Sequence, residues 1–240
     1  MSNTYSHYAD ICTKFYELTT PPEAVAQFVF EKCHAEPGQH ALFVGGMFGV
    51  AAALVNQGLQ LTIVDYTDEM VELGRRRVPS ATVLKSDIRE LPFKGEFDLV
   101  LVVGRVLTHM TTDSDLDRAL HSCRGALRGG GTLFADNYED TKIQKTNYFN
   151  GRIEGRDSSS QILRVSTTTQ ISGQPLVVRW DAEYSGEFDG APFHFRDSID
   201  HRAFSRQEFA DCLRSAGFTA ITQGDNFDET SFYSVAKRFV

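Results

Sequence analysis

An apolar run, His40-Ala41-Leu42-Phe43-Val44, breaks on the turn Gly45-Gly46-Met47-Phe48-Gly49 and resumes as the helix-like Val50-Ala51-Ala52-Ala53-Leu54-Val55. A strand, a glycine turn and a helix in that order bring an α/β protein's backbone close to a nucleotide-like ligand. Asp65 ends the next apolar run, at the spacing expected of a carboxylate that binds ribose hydroxyls. A turn of this kind is most at home on a sheet covered by helices, with its ligand at the strand ends.

The same alternation continues to about Asp136. Pro22 to His34 carries Ala24, Val25, Phe28, Val29 and Cys33 at helical spacing. Gln60 to Asp65 predicts a strand, and Thr67 can cap the helix after it. Asp68 and Glu69 in that helix's first turn and Arg75 to Arg77 in its last suit the macrodipole. Thr82–Leu84, Leu99–Val103 and Thr132–Ala135 predict three more buried strands. The amphipathic stretch Leu116 to Leu127 separates the last two, with Gly129-Gly130-Gly131 expected to stop it. After Asp136 the period shortens to two. Ile162–Gln170, Leu176–Phe188 and Phe193–Arg202 predict strands, and Asp189-Gly190 a hairpin turn between the latter two. Helical spacing then returns with the capping box Ser205-Arg206-Gln207-Glu208, flanked by the staple pair Phe204 and Phe209 and ended by Gly217. Strands near Ala220–Thr222 and Phe232–Val240 close the chain.

At 240 residues one domain with an inserted subregion is expected. The divisions are an N-terminal cap and first helix over 1–36, a cofactor-binding core over 37–140, a β-rich insertion over 141–203, and a closing helix and strands over 204–240. A net charge of −8 argues against a nucleic-acid partner. No apolar run approaches the roughly 20 residues that span a bilayer. Met1 to Tyr5 lacks the basic and apolar regions of a signal peptide, so no membrane attachment and a cytoplasmic location are expected. Cys12, Cys33, Cys123 and Cys212 are scattered without a C-x-x-C pair, and no metal site is expected.

The ends of the first four strands hold a set of groups suited to one ligand. After strand one comes the glycine loop, and after strand two Asp65-Tyr66, a carboxylate followed by an aromatic ring able to lie along a purine. Past strand three stands Ser86-Asp87-Ile88, an acid for an exocyclic amine and an apolar surface for a ring; strand four ends at Val103-Gly104. Each has a plainer role open to it, Asp65 as a strand-end turn residue and Asp87 as a helix cap.

Through Leu42–Gly49, Ile63-Val64-Asp65, Ser86-Asp87-Ile88 and Leu91-Pro92-Phe93…Phe97-Asp98-Leu99-Val100, the chain resembles the class I S-adenosylmethionine-dependent methyltransferases. The resemblance implies an α/β, Rossmann-like seven-stranded sheet with an antiparallel final strand and a β-rich insertion after strand five. It gives Gly45, Gly46, Met47 and Gly49 to the methionine portion of the cofactor, Asp65 and Tyr66 to the ribose and its neighbourhood, and Asp87 and Ile88 to adenine. Val103 and Tyr8 complete the expected cofactor contacts. Within the class the chain is similar to nucleotide-amino-sugar N-methyltransferases, through Tyr5-Ser6-His7-Tyr8-Ala9-Asp10-Ile11, Leu107-Thr108-His109-Met110 and His201-Arg202-Ala203-Phe204. That likeness implies N-methylation of a small-molecule amine and a homodimer formed through the insertion. Candidate catalytic residues are His109, to orient the amine or accept its proton, and Tyr5, to close over the methyl group. A backbone-satisfied histidine and a packing tyrosine are the alternatives. Asp136 and Tyr138 are expected at the acceptor, and His194 and His201 are taken as structural, with substrate contact open to them.

Three residues depart from the class. Phe43 stands where an acid commonly helps hold the cofactor's ammonium, and Met47 where a loop glycine is usual; Cys12 also replaces a common aromatic. Either another residue holds the methionine end, or cofactor binding is altered or lost. An oxygen or carbon acceptor also stays open.

Overall fold

Strands alternating with amphipathic helices build the first half of the chain, and hairpins build most of the rest. In the computed structural model, which describes residues 8–143 and 145–239, the strands are β1 (His40–Val44), β2 (Gln60–Asp65), β3 (Thr82–Lys85), β4 (Phe97–Val102) and β5 (Leu127–Tyr138). There follow β6 (Gly151–Arg156), β7 (Ser160–Gly173), β8 (Leu176–Phe188), β9 (Ala191–Arg202), β10 (Phe218–Asp225) and β11 (Ser231–Arg238). The helices are α1 (Ala9–Thr19), α2 (Pro22–Cys33), α3 (Phe48–Asn56), α4 (Asp68–Arg77), α5 (Asp113–Ala126) and α6 (Arg206–Ser215).

Seven strands form one sheet in the order β10-β11-β5-β4-β1-β2-β3. The pairs joining β1 to β5 are parallel, and β11 runs antiparallel to both β5 and β10. Side chains of successive strand residues leave opposite faces. Phe43, Ile63 and Leu101 therefore pack under α2, α3 and α4, while Leu42, Val64 and Val100 pack under α5 and α6. The expected fold is the observed one. Among the described residues no helix is long and apolar enough to cross a membrane.

Local signals behave as their chemistry requires. The Thr67 hydroxyl accepts from the Met70 N–H at 3.3 Å and starts α4. Ser205 and Glu208 form a reciprocal capping box, and Phe204 meets Phe209 with ring centroids 5.3 Å apart. Asp189 and Gly190 take φ of 48° and 80°, the left-handed pair of a tight hairpin.

Three features differ from expectation. Gly129 to Gly131 do not stop a helix: α5 ends at Ala126, and the glycines lie within β5. A Cβ on Gly131 would stand 3.1 Å from the Asp98 carbonyl oxygen, so small residues let the paired backbones approach. Helix α1 has only a narrow buried stripe (Ala9, Cys12, Thr13, Phe15), too sparse to announce itself. Strand β6 carries glycines and charged residues and is defined by its pairing with β7. The sheet β6-β7-β8-β9 is antiparallel throughout, and its ends meet the main sheet where Glu139 bridges Phe204. It packs Trp180, Tyr184 and Phe195 against Cys12 and Phe15 of α1.

Candidate functional site

The C-terminal ends of β1, β2 and β4 open into a cavity of about 1000 Å³, which runs from the glycine loop to the inner side of the β6–β9 sheet. Gly45 has φ of 107°, and a Cβ there would lie 2.7 Å from Val106 Cγ2, so glycine lets the loop turn tightly beneath the segment after β4. On Gly46 a Cβ would collide with the end of Met70. On Gly49 it would lie 2.9 Å from both Pro22 Cγ and Glu17 Oε1. Met47 has φ of −79°, so its position does not need glycine. Its side chain lies where Gly104 has no Cβ to obstruct it: one there would come 2.9 Å from the Met47 sulfur. Phe43 is wholly buried in the core and is absent from the cavity wall.

Asp65 lines the cavity with its Oδ1 held by the Thr67 N–H at 3.0 Å and the Thr67 hydroxyl at 3.4 Å. Burial raises its carboxyl pKa, against the lowering effect of those bonds. The turn role and the wall position coexist, with Oδ2 left to accept from a ligand. Tyr66 stands 64% exposed on the rim. Asp87 likewise does two things: it caps the 3-10 turn Ile88–Glu90 and lines the cavity. Its two oxygens accept from Arg89 Nε at 3.0 and 3.1 Å, and this hydrogen bonding lowers its pKa. Ile88 and Val103 form apolar wall beside it.

At the far end stand His109, Tyr138, Tyr148, Trp180 and His201. The Thr108 hydroxyl donates its one proton to the Arg105 carbonyl at 2.7 Å. Its 3.0 Å contact with His201 Nδ1 must therefore be a bond donated by the ring. His201 then carries its proton on Nδ1 and a bare lone pair on Nε2, which has no partner among the described residues. Burial, with lesser contributions from His109 and Arg105, holds the His201 pKa well below the ordinary imidazole value. The His109 ring lies 4.9 Å away, centroid to centroid. It is deep beneath the outer surface, which pushes its pKa down to about 4, yet more than a third of the residue opens to the cavity. Cavity water moderates that depression, and both rings are neutral at pH 7.

Two expected site residues lie elsewhere. Asp136 is completely buried and accepts from the Gly104 N–H (2.9 Å), the Arg105 N–H (3.0 Å) and Asn226 Nδ2 (3.1 Å). It braces the turn after β4 and does not reach the acceptor end; Arg105, which lines the cavity, does so in its place. Tyr8 stacks on Phe195 with centroids 4.0 Å apart, off the cavity wall. Tyr5 lies outside the described residues. Tyr138 is on the wall, its hydroxyl 3.3 Å from that of Tyr148. Tyr148 and Trp180 stack with centroids 6.0 Å apart. No spacing in the sequence joins either to His109.

Residues 43–131 match the family model of a methyltransferase domain. The chain is 23% identical over 188 residues to the putative methyltransferase YqeM of Bacillus subtilis, covering 75% of this chain and 73% of that protein. An S-adenosylmethionine-dependent methyltransferase from Clostridium acetobutylicum superposes with a TM-score of 0.78 at 15% identity, over 99% of this chain and all of the other. The S-adenosylmethionine-bound amino pentose methyltransferase CalS10 of Micromonospora echinaspora superposes with a TM-score of 0.75 at 17% identity, over 96% and 95% of the two chains. The structural likenesses establish a common fold.

Proposed function

We infer that the protein is an S-adenosylmethionine-dependent methyltransferase that methylates a nitrogen of a small-molecule amine; the match of residues 43–131 to a methyltransferase domain and the fold shared with such enzymes support the reading. The observation that carries this is the continuity of one cavity from Asp65 and Asp87 to His109 and His201. The near end fits the cofactor. Asp65 Oδ2 is available to a diol, Ile88 offers an apolar wall, and Gly45 and Gly46 let the loop pack closely against Val106 and Met70 at the cavity edge. When bound, S-adenosylmethionine supplies a methyl group on a positively charged sulfur.

Placement contributes most to such a transfer, since a held nucleophile needs little further help. Tyr138, Tyr148 and Trp180 wall the far end with aromatic surface that excludes water. Neutral His109, on the cavity wall with more than a third of the residue open, presents an imidazole to the amine, and neutral His201 backs it with its acceptor nitrogen buried. Imidazoles with lowered pKa are weak bases. They suit a neutral amine, whose lone pair needs orientation rather than prior removal of a proton, better than an alcohol. The amino pentose specificity stated for CalS10 points the same way.

S-adenosylhomocysteine titrated by calorimetry tests the cofactor half. Wild type should bind, and Asp65→Asn should weaken binding about tenfold through the lost charged acceptor. Failure of wild type to bind at millimolar ligand would favour the second possibility, a scaffold without the cofactor, for which the burial of Phe43 is the specific support. A panel of amines, including nucleotide-linked amino sugars, incubated with S-adenosylmethionine and read by mass spectrometry tests the acceptor half.

A further inference from the structure

The methionine end of the proposed cofactor is a zwitterion, and Phe43 offers it no charge. Glu17, Asp65, Asp87, Asp197 and Asp200 are the described acids on the cavity wall. Asp65 stands at the end of β2, Asp87 is engaged by Arg89 past β3, and Asp200 is paired with Arg179 at 2.8 and 2.9 Å on the β6–β9 sheet. Asp197 also belongs to that sheet. Glu17 is different. It comes from α1 and lies against the first turn of α3, where its Oε1 is 2.9 Å from the place a Gly49 Cβ would take. The glycine at 49 is what lets this carboxylate approach the loop.

Glu17 is also held in place. Both its oxygens accept from Arg77 Nη2 at 2.5 Å, from the end of α4. Arg77 is the more exposed partner, with its side chain 41% open against 20% for Glu17. A carboxylate has about four lone-pair sites, so one cation on the outer side leaves capacity on the cavity side. Met47, the N-cap of α3, gives that helix no side-chain cap; the Phe48 N–H is taken by the Gly46 carbonyl at 2.9 Å, and the N–H groups that follow in the first turn suit a carboxylate. An anionic side chain beside a helix start matches the two charges of an α-amino acid.

We propose that Glu17 anchors the ammonium of the cofactor's methionine portion, replacing from α1 the acid that β1 lacks at Phe43. This rests on the cofactor assignment above, and the test separates the two. S-adenosylhomocysteine and 5′-methylthioadenosine share the nucleoside and thioether, and only the first has the α-amino acid. Their dissociation constants are measured on wild type, Glu17→Gln and Arg77→Gln by calorimetry. Glu17→Gln should weaken S-adenosylhomocysteine about tenfold and leave 5′-methylthioadenosine within about twofold, which also reports that the variant is folded. Arg77→Gln breaks the same ion pair but keeps the carboxylate, and should leave S-adenosylhomocysteine within about threefold. Unchanged or tighter S-adenosylhomocysteine binding by Glu17→Gln overturns the proposal. So does equal weakening of both ligands, or equal weakening by both variants, since either marks the ion pair as a clamp between α1 and α4. If wild type binds neither ligand, the cofactor assignment falls and this proposal with it.

Discussion

His201 and His109 are held neutral for different reasons, and the difference can be measured. His201 is 5% exposed and donates from Nδ1 to Thr108, so a second proton on Nε2 would place a charge with no partner beside Arg105. His109 is enclosed but open to the cavity. Both have folded pKa values below the unfolded value of about 6.5. The unfolded chain therefore takes up protons first as pH falls. Their stabilising contribution is complete above about pH 6.5 and is lost as pH drops toward the folded values, about 4 for His109. Calorimetric melting between pH 7 and 4.5 should show a declining Tm, with the decline clearly shallower in His201→Gln and slightly shallower in His109→Gln. Parallel curves for all three proteins would remove both rings from the acid response. Sequence spacing could not assign His201 this role, because the hydroxyl that fixes its tautomer is Thr108, 93 positions away. The place of His109 on the cavity wall was legible because it comes soon after β4, and the cavity opens at the strand ends.

Elements were legible in proportion to how local their determinants are. The start of α4 is written in Thr67, Asp68 and Glu69, and that of α6 in Ser205 and Glu208, all within one turn. By contrast α1 depends on Phe15 meeting Tyr184, with centroids 5.6 Å apart, from a strand far along the chain. Glu17 shared that obscurity, since nothing near it in sequence says it faces a loop around Gly49. Strand β8 contains a position where local and long-range demands coincide. Gly186 has φ of 144°, and a Cβ there would fall 1.9 Å from the Gln161 carbonyl on β7. Backbone cannot yield as a side-chain tip can. Gly186→Ala should therefore cost more than about 2 kcal/mol, whereas Ser205→Ala should cost about 1 kcal/mol by loss of its cap. Urea unfolding of both variants checks the order. A Gly186→Ala midpoint above that of Ser205→Ala would show that β7 and β8 can part at this point.

The molecule as a whole joins a sheet whose strand ends open into the cavity to a second sheet that walls its far end, and the proposed function gives the first to the cofactor and the second to the acceptor. Strand order and the near end of the cavity followed from the alternation before Asp136, because a parallel sheet fixes where its strand ends lie. The far end did not, since Tyr148, Trp180 and His201 converge only when the β6–β9 sheet folds back onto the cavity. Trp180 is the chain's one tryptophan and reports on that convergence. Its ring stacks with Tyr148 and lies 5.7 Å from His201, centroid to centroid, while Asp65 and Asp87 belong to the main sheet's strand ends. A ligand filling only the nucleoside end should leave Trp180 emission nearly unchanged, and an amine filling the acceptor end should shift or quench it by changing the polarity and packing around the buried indole. Titration with 5′-methylthioadenosine and then with a nucleotide-linked amino sugar, on wild type and Trp180→Phe, separates the two effects. An equally large response to the nucleoside alone would mean that the two ends are not separate compartments. In that case acceptor and cofactor would compete for one space, and the division of labour between the two sheets would be wrong.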